Sequence, residues 1–182
     1  MPYGGVVAVA AGTYNEDVEV AFKPAAVWGV CPAQVTIQGV SASDVAFGVF
    51  ASWGELHGVH LTGPGAGAFV KKSADLLLDG VWLEGTPVVG ILCDEQSSLT
   101  VRGSLIEHVK EYGAEVVGAE MLIERSVLRD VPTGPMGFGV LVDALSLNGH
   151  RAKVTVRSSL LERVHLAGVN VVETDVLFDG VA

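Results

Sequence analysis

One short pattern restricts the possible folds of this chain more than any other feature. An apolar triplet, a turn-like pair and a second apolar run return at near-constant spacing. The pattern reads Leu76-Leu77-Leu78-Asp79-Gly80-Val81-Trp82-Leu83, then Leu99-Thr100-Val101-Arg102-Gly103-Ser104-Leu105-Ile106. It returns as Met121-Leu122-Ile123-Glu124-Arg125-Ser126-Val127-Leu128, as Val154-Thr155-Val156-Arg157-Ser158-Ser159-Leu160-Leu161, and in part as Val176-Leu177-Phe178-Asp179-Gly180. Anchored on Gly58, Gly80, Gly103, Arg125, Ser158 and Gly180, the steps are 22, 23, 22, 33 and 22 residues. A second track runs in phase: Gly67, Gly90, Gly113, Gly139 and Gly168 each open a short, mostly apolar segment. Each coil thus supplies three short strands joined by tight turns, where glycine accepts positive φ without a Cβ clash. Three faces per coil, each strand stacked on the coil before, is the geometry of an all-β, single-stranded, right-handed parallel β-helix. Leu76, Leu78, Leu99, Val101, Met121, Ile123, Val154 and Val156 are then inward-facing columns. A leucine-rich repeat of similar period needs an asparagine ladder, and asparagine occurs only at Asn15, Asn148 and Asn170. Amphipathic helices are excluded by the short, glycine-punctuated segments.

The solenoid is expected to fill the whole chain as one domain. Opening coils span 1–40, regular coils 41–131, a coil with two insertions 132–164 and an incomplete last coil 165–182. Both ends read as truncated, because bare solenoid ends expose apolar surface and strand edges. Mean hydropathy is high at +0.46 with 49% hydrophobic residues. Yet glycine, proline or charge interrupts each apolar stretch within about ten residues, and a bilayer span needs about 20. Those residues must therefore be buried as strands, and no membrane insertion is expected. A net charge of −10 with only 11 Lys and Arg argues against nucleic acid, whose phosphates call for clustered cations. Cys31 and Cys93 lie about three coils apart, roughly 14 Å at one strand spacing per coil, beyond the roughly 7 Å span of a disulfide. Both read as small buried hydrophobes. The opening Met1-Pro2-Tyr3-Gly4-Gly5 carries no basic segment of the kind that begins a signal peptide.

Val7-Ala8-Val9-Ala10-Ala11-Gly12-Thr13-Tyr14-Asn15-Glu16-Asp17-Val18, followed by Lys23-Pro24 and Val27-Trp28-Gly29, resembles the opening coil of pectinesterase-like proteins of the pectin lyase-like superfamily. The likeness covers about the first forty residues, and Val35-Thr36-Ile37-Gln38-Gly39 fits the following coil. It implies a structural role for Gly12, Tyr14 and Glu16, a carbohydrate-related setting, and an extracellular or cell-surface location. It does not carry over catalysis. The pectinesterase segments "G-x-V-D-F-I-F-G" and "L-G-R-P-W" do not occur in this chain. Of the polygalacturonase-like motifs only "R-x-K" is matched, by Arg151-Ala152-Lys153.

One coil breaks the period. Extra residues flank the segment Val140-Leu141-Val142, lengthening the turn from Val131 to Phe138 and the one from Ala144 to Lys153. In repeat folds such insertions become loops, often on the binding face. They would wall a groove with Phe138 and Met136 on one side and Asn148, His150, Arg151 and Lys153 on the other. In the same register Asp94, Val117 and Asp143 share one column, and Glu95 begins the next. Asp94 and Asp143 stand about 10 Å apart across Val117, a separation open to an inverting glycosidase and equally to two solvated turn residues. A further column, Glu84, Glu107, Arg129 and Glu162, reads as a solvated charge ladder. His57, His60, His108, His150 and His165 show no zinc-ligand spacing. The reading is therefore a non-catalytic β-helix segment of a larger secreted or cell-surface bacterial protein, a scaffold or a module binding polysaccharide or surface glycan. No metal or cofactor is expected. The alternative is a carbohydrate-active enzyme, a lyase, hydrolase or epimerase, with its groove beside the inserted loops.

Overall fold

The computed structural model describes residues 4–132, 137–143, 150–172 and 174–182. Among them all regular structure is β, in three parallel sheets that wind as a solenoid of about seven turns. Sheet A stacks Gly5–Ala8, Ala25–Trp28, Trp53–His57, Asp75–Asp79, Ser98–Arg102, Glu120–Glu124, Lys153–Arg157 and Asp175–Asp179. Sheet B stacks Gly12–Asn15, Val35–Gln38, His60–Thr62, Trp82–Glu84, Leu105–Glu107, Val127–Val131 and Leu160–Val164. Sheet C stacks Val18–Ala21, Val45–Phe50, Ala66–Lys71, Val89–Asp94, Tyr112–Val117, Phe138–Asp143 and Ala167–Val172. The chain visits A, B and C in turn, so every strand pairs with its counterpart one coil on.

The register is the one that the repeat predicts. His57, Asp79, Arg102, Glu124, Arg157 and Asp179 stand opposite one another along sheet A. Alternation along each strand sends every second side chain inward. Leu76, Leu78, Leu99, Val101, Met121, Ile123, Val154 and Val156 form the expected columns, each at most 3% exposed. Burial of a side chain this size contributes about 1.5–3 kcal/mol. The long coil leaves these columns unbroken: Met121 stands opposite Val154 and Ile123 opposite Val156. Its inserted residues 133–136 and 144–149, with Met136 and Asn148 among them, lie outside the described residues.

The corner from sheet A to sheet B is a two-residue turn whose first residue is left-handed. Gly80 has φ 62° and Gly103 55°, while Arg125 and Ser158 adopt 49° and 47° at the same place. The second residue supplies a serine ladder. Ser104 Oγ accepts the Val81 N–H at 3.0 Å, Ser126 Oγ accepts the Ser104 N–H at 3.2 Å, and Ser159 Oγ accepts the Ser126 N–H at 3.2 Å. Each hydroxyl also donates to the carbonyl two residues earlier in its own coil, at 2.8–2.9 Å. Backbone donors that the turn leaves unpaired are thus satisfied by the coil above.

The second glycine track has a different cause from the one the sequence suggests. Gly67, Gly90, Gly113 and Gly139 lie within strands of sheet C, and none has a positive φ. They are small because the next coil's backbone approaches so closely. A Cβ on Gly90 would sit 2.5 Å from the Gly113 carbonyl oxygen, and one on Gly139 would sit 2.4 Å from that of Gly168. Cys93 is buried and Cys31 half-buried, both as free thiols. Burial, with help from Asp94 and Asp75, pushes the Cys93 thiol well above the ordinary thiol range.

Candidate functional site

Sheet C holds the strand Phe138–Asp143, which the two insertions precede and follow in the sequence. Its outward side chains fall into three columns. The first includes Val89, Tyr112, Phe138 and Ala167, the second Phe69, Leu92, Glu115, Leu141 and Asn170, and the third Phe50, Lys71, Asp94, Val117, Asp143 and Val172. Large apolar groups cross the sheet diagonally, from Phe50 through Phe69 and Leu92 to Tyr112 and Phe138. Phe50 and Phe69 meet edge-on with centroids 5.7 Å apart, and Tyr112 and Phe138 lie nearly parallel at 6.2 Å. All four rings are half-buried and present part of their surface to solvent. Lys71 Nζ stands 4.6 Å from the Phe69 ring centre and 5.5 Å from that of Phe50, a cation–π arrangement. Phe50, Phe69 and Leu92 floor a cleft of about 340 Å³ whose walls are the turns at Ala42–Asp44 and Pro87–Val88; Tyr112 and Phe138 lie outside it.

Carboxylates border the apolar diagonal. Asp94 and Asp143 end their strands in the third column, on either side of Val117. Asp94 serves its own turn: its Oδ1 accepts the Glu95 N–H at 2.6 Å, and Glu95 is held left-handed at φ 53°. Glu115, which the sequence reading passed over, stands between Leu92 and Leu141 on the coils before and after. Its burial raises the carboxyl above the ordinary glutamate range, and the charges of Asp143 and Asp94 raise it further. Tyr112 is likewise pushed up, by burial and then by Glu115 and Glu111.

Of the residues expected to form a groove, Asp94, Phe138 and Asp143 share this face and Glu95 edges it. His150 and Arg151 line a separate cleft of about 230 Å³ with Gln96, Ser97 and Gly118, at the corner from sheet C to sheet A. Lys153 opens a strand of sheet A, exposed and opposite Glu120 and Asp175, and so is not on the sheet C face. Asn148 lies outside the described residues.

A second cluster occupies sheet B. Glu107 does not belong to a solvated ladder, being 5% exposed. Trp82 Nε1 donates to one of its oxygens at 3.0 Å and Arg129 Nε to the other at 2.7 Å. Glu84 lies 3.3 Å from His60 Nε2, and His60 stacks on Trp82 at 4.4 Å. Burial lowers the His60 pKa against the opposing pull of Glu84, which favours the neutral imidazole. Glu84, Glu107 and His108 bring ligand atoms within 4.8 Å of one another. Both Glu107 oxygens are already engaged, by Trp82 on one coil and Arg129 on another, so the arrangement ties neighbouring coils of sheet B together.

No family model matches this chain, and no curated protein matches it. Solved structures do. The catalytic domain of a GH87 α-1,3-glucanase in complex with tetrasaccharides superposes with a TM-score of 0.67 at 14% identity, over 97% of this chain and 34% of that one. A pectin methylesterase in complex with a hexasaccharide gives 0.59 at 11% identity, over 86% of this chain and 57% of that one. An alginate lyase from Paenibacillus sp. gives 0.56 at 13% identity, over 100% of this chain and 93% of that one. The fold is a pectin lyase-like parallel β-helix. The chain spans about a third and just over half of the first two structures it matches. At these identities the likeness concerns the fold, since superfolds host many activities.

Proposed function

We propose that this β-helix is a glycan-binding module of a larger secreted or cell-surface protein, and that the outer face of sheet C holds the glycan without cleaving it. The observation that carries the reading is the diagonal of four half-exposed rings, Phe50, Phe69, Tyr112 and Phe138, on a rigid sheet flanked by turns. From the strand of Phe50 to that of Phe138 is four strand spacings, about 19 Å, room for a short oligosaccharide. Aromatic faces bury apolar area while leaving polar rims free for hydroxyl groups. Sheet scaffolds hold such a surface without the ordering cost that a loop-built site would incur. The solved structures with this fold that were crystallised with tetrasaccharides or a hexasaccharide support the substrate class. Asp94, committed to its own turn and separated from Asp143 by Val117, favours binding over cleavage.

The test is oligosaccharide binding by calorimetry, comparing the chain with a Phe69→Ala/Tyr112→Ala variant whose far-UV circular dichroism matches the parent. Loss of about tenfold or more in affinity is expected, on the order of 1 kcal/mol per ring. Undiminished affinity would remove the sheet C reading. A second reading, glycan cleavage, is favoured by Glu115, whose carboxyl is raised above the ordinary glutamate range by burial first and then by Asp143 and Asp94, the direction that a general acid requires. Release of reducing ends that Glu115→Gln abolishes would establish it in place of the first.

A further inference from the structure

We propose that the outer face of sheet B binds a divalent transition ion of the zinc class, held by Glu84, Glu107 and His108. The site lies apart from sheet C and does not depend on the glycan reading. Glu84 and Glu107 are direct partners on neighbouring strands, and His108 follows Glu107 where the chain leaves the sheet. One ligand atom from each of the three lies within 4.8 Å of the other two. Glu84 Oε2 stands 3.8 Å from His108 Nδ1, on a side chain that is 58% exposed and so can close on an ion. Two carboxylates placed opposite each other in a sheet repel. Arg129 compensates Glu107 at 2.7 Å, whereas among the described residues Glu84 pairs only with the imidazoles of His60 and His108. His60 supplies a second, independent observation. Its Nε2 is shut off from solvent and makes no hydrogen bond among the described residues, although it faces Glu84 Oε1 at 3.3 Å. Burial favours the neutral form of this imidazole, which offers a lone pair to a metal but no charge to Glu84. That separation is close to the distance between two donors on one tetrahedral zinc ion, whose bonds are about 2.0 Å long. Trp82 Nε1 and Arg129 Nε orient Glu107 from behind, as hydrogen bonds to ligating carboxylates do, and a carboxylate has further lone pairs to give. Asp130, 3.7 Å from Arg129 and itself paired with Arg163, offsets part of the Arg129 charge. An imidazole ligand selects zinc-like ions over calcium and magnesium, which favour all-oxygen sites.

Calorimetric titration of the whole chain with zinc chloride at neutral pH is expected to show one dominant site. Glu84→Gln and His108→Asn are each expected to weaken it by about tenfold or more. Asparagine at 108 tolerates the left-handed backbone there, where His108 has φ 54°, so the fold is kept while the ligand is lost. His150→Ala, at the corner from sheet C to sheet A, is expected to leave zinc affinity unchanged, and calcium to bind at least about tenfold more weakly than zinc. Because the ion joins two coils, zinc at about 100 times its Kd is expected to raise Tm by roughly 5–10 °C in the parent, and by less in His108→Asn. No one-to-one isotherm with millimolar zinc would overturn the proposal. So would an affinity that neither Glu84→Gln nor His108→Asn lowers, one that His150→Ala lowers instead, or calcium binding as tightly as zinc.

Discussion

Replacing Thr86 with valine is expected to stabilise the protein. Thr86 is fully buried in the turn from sheet B to sheet C, and its hydroxyl has no hydrogen-bond partner among the described residues. The Lys110 N–H donates to the Thr86 carbonyl at 3.2 Å, which sets Thr86 opposite Val109. Val109 and Val131, the next members of that column, are also fully buried. The position is thus built for an isopropyl group, and valine has nearly the volume of threonine. A buried hydroxyl without a partner costs about 1–3 kcal/mol, so Thr86→Val is expected to add about 1–2 kcal/mol. For a domain of this size that raises Tm by roughly 2–4 °C per kcal/mol. Urea unfolding followed by tryptophan fluorescence reads the change as a higher midpoint at constant slope. The mirror substitution Val109→Thr puts a hydroxyl where the fold has none and is expected to lower stability by a similar amount. A midpoint for Thr86→Val equal to or below that of the parent would refute the reasoning, because it would mean that the hydroxyl is satisfied.

Ser126→Ala removes the acceptor of the Ser104 N–H and the donor to the Glu124 carbonyl. It is expected to cost about 1–3 kcal/mol, read in the same urea assay, and an unchanged midpoint would show that the ladder is dispensable. Glu115→Gln is expected to raise stability at neutral pH and to lose that advantage on acidification. The folded-state pKa of Glu115 lies above its unfolded value, so the penalty for ionising it is complete above the folded pKa and absent below the unfolded one, near 4.3. Parent and variant unfolding curves that differ equally at both ends of that window would contradict the assignment.

The coil register was legible because Gly58, Gly80 and Gly103 mark the same corner in successive coils. Arg125 and Ser158 could be aligned with them through the apolar triplets that precede each. The serine ladder was not legible, since Val59 and Val81 occupy its column in earlier coils and disguise Ser104, Ser126 and Ser159 as ordinary turn residues. The sheet C glycines were found, but their cause was not, because close approach of a neighbouring coil's carbonyl leaves no mark within one strand. Asp94 and Asp143 were aligned correctly, whereas Glu115 was missed. Its signal was available as a charge set between Leu92 and Leu141 in its column. Lys153 was assigned to the groove by its place in the sequence, and the corner after residue 152 carries it onto another face. The burial of Glu107 depends on Trp82 and Arg129 one coil to either side, a three-coil coincidence that no single repeat displays.

The interrupted coil keeps its interior columns although its outer path is half as long again. Lengthening a connection on this flank therefore adds reach without retuning what lies beneath it. The length of such a connection and the order of the spine are separately adjustable in this chain, and selection can vary one while the other stays the same.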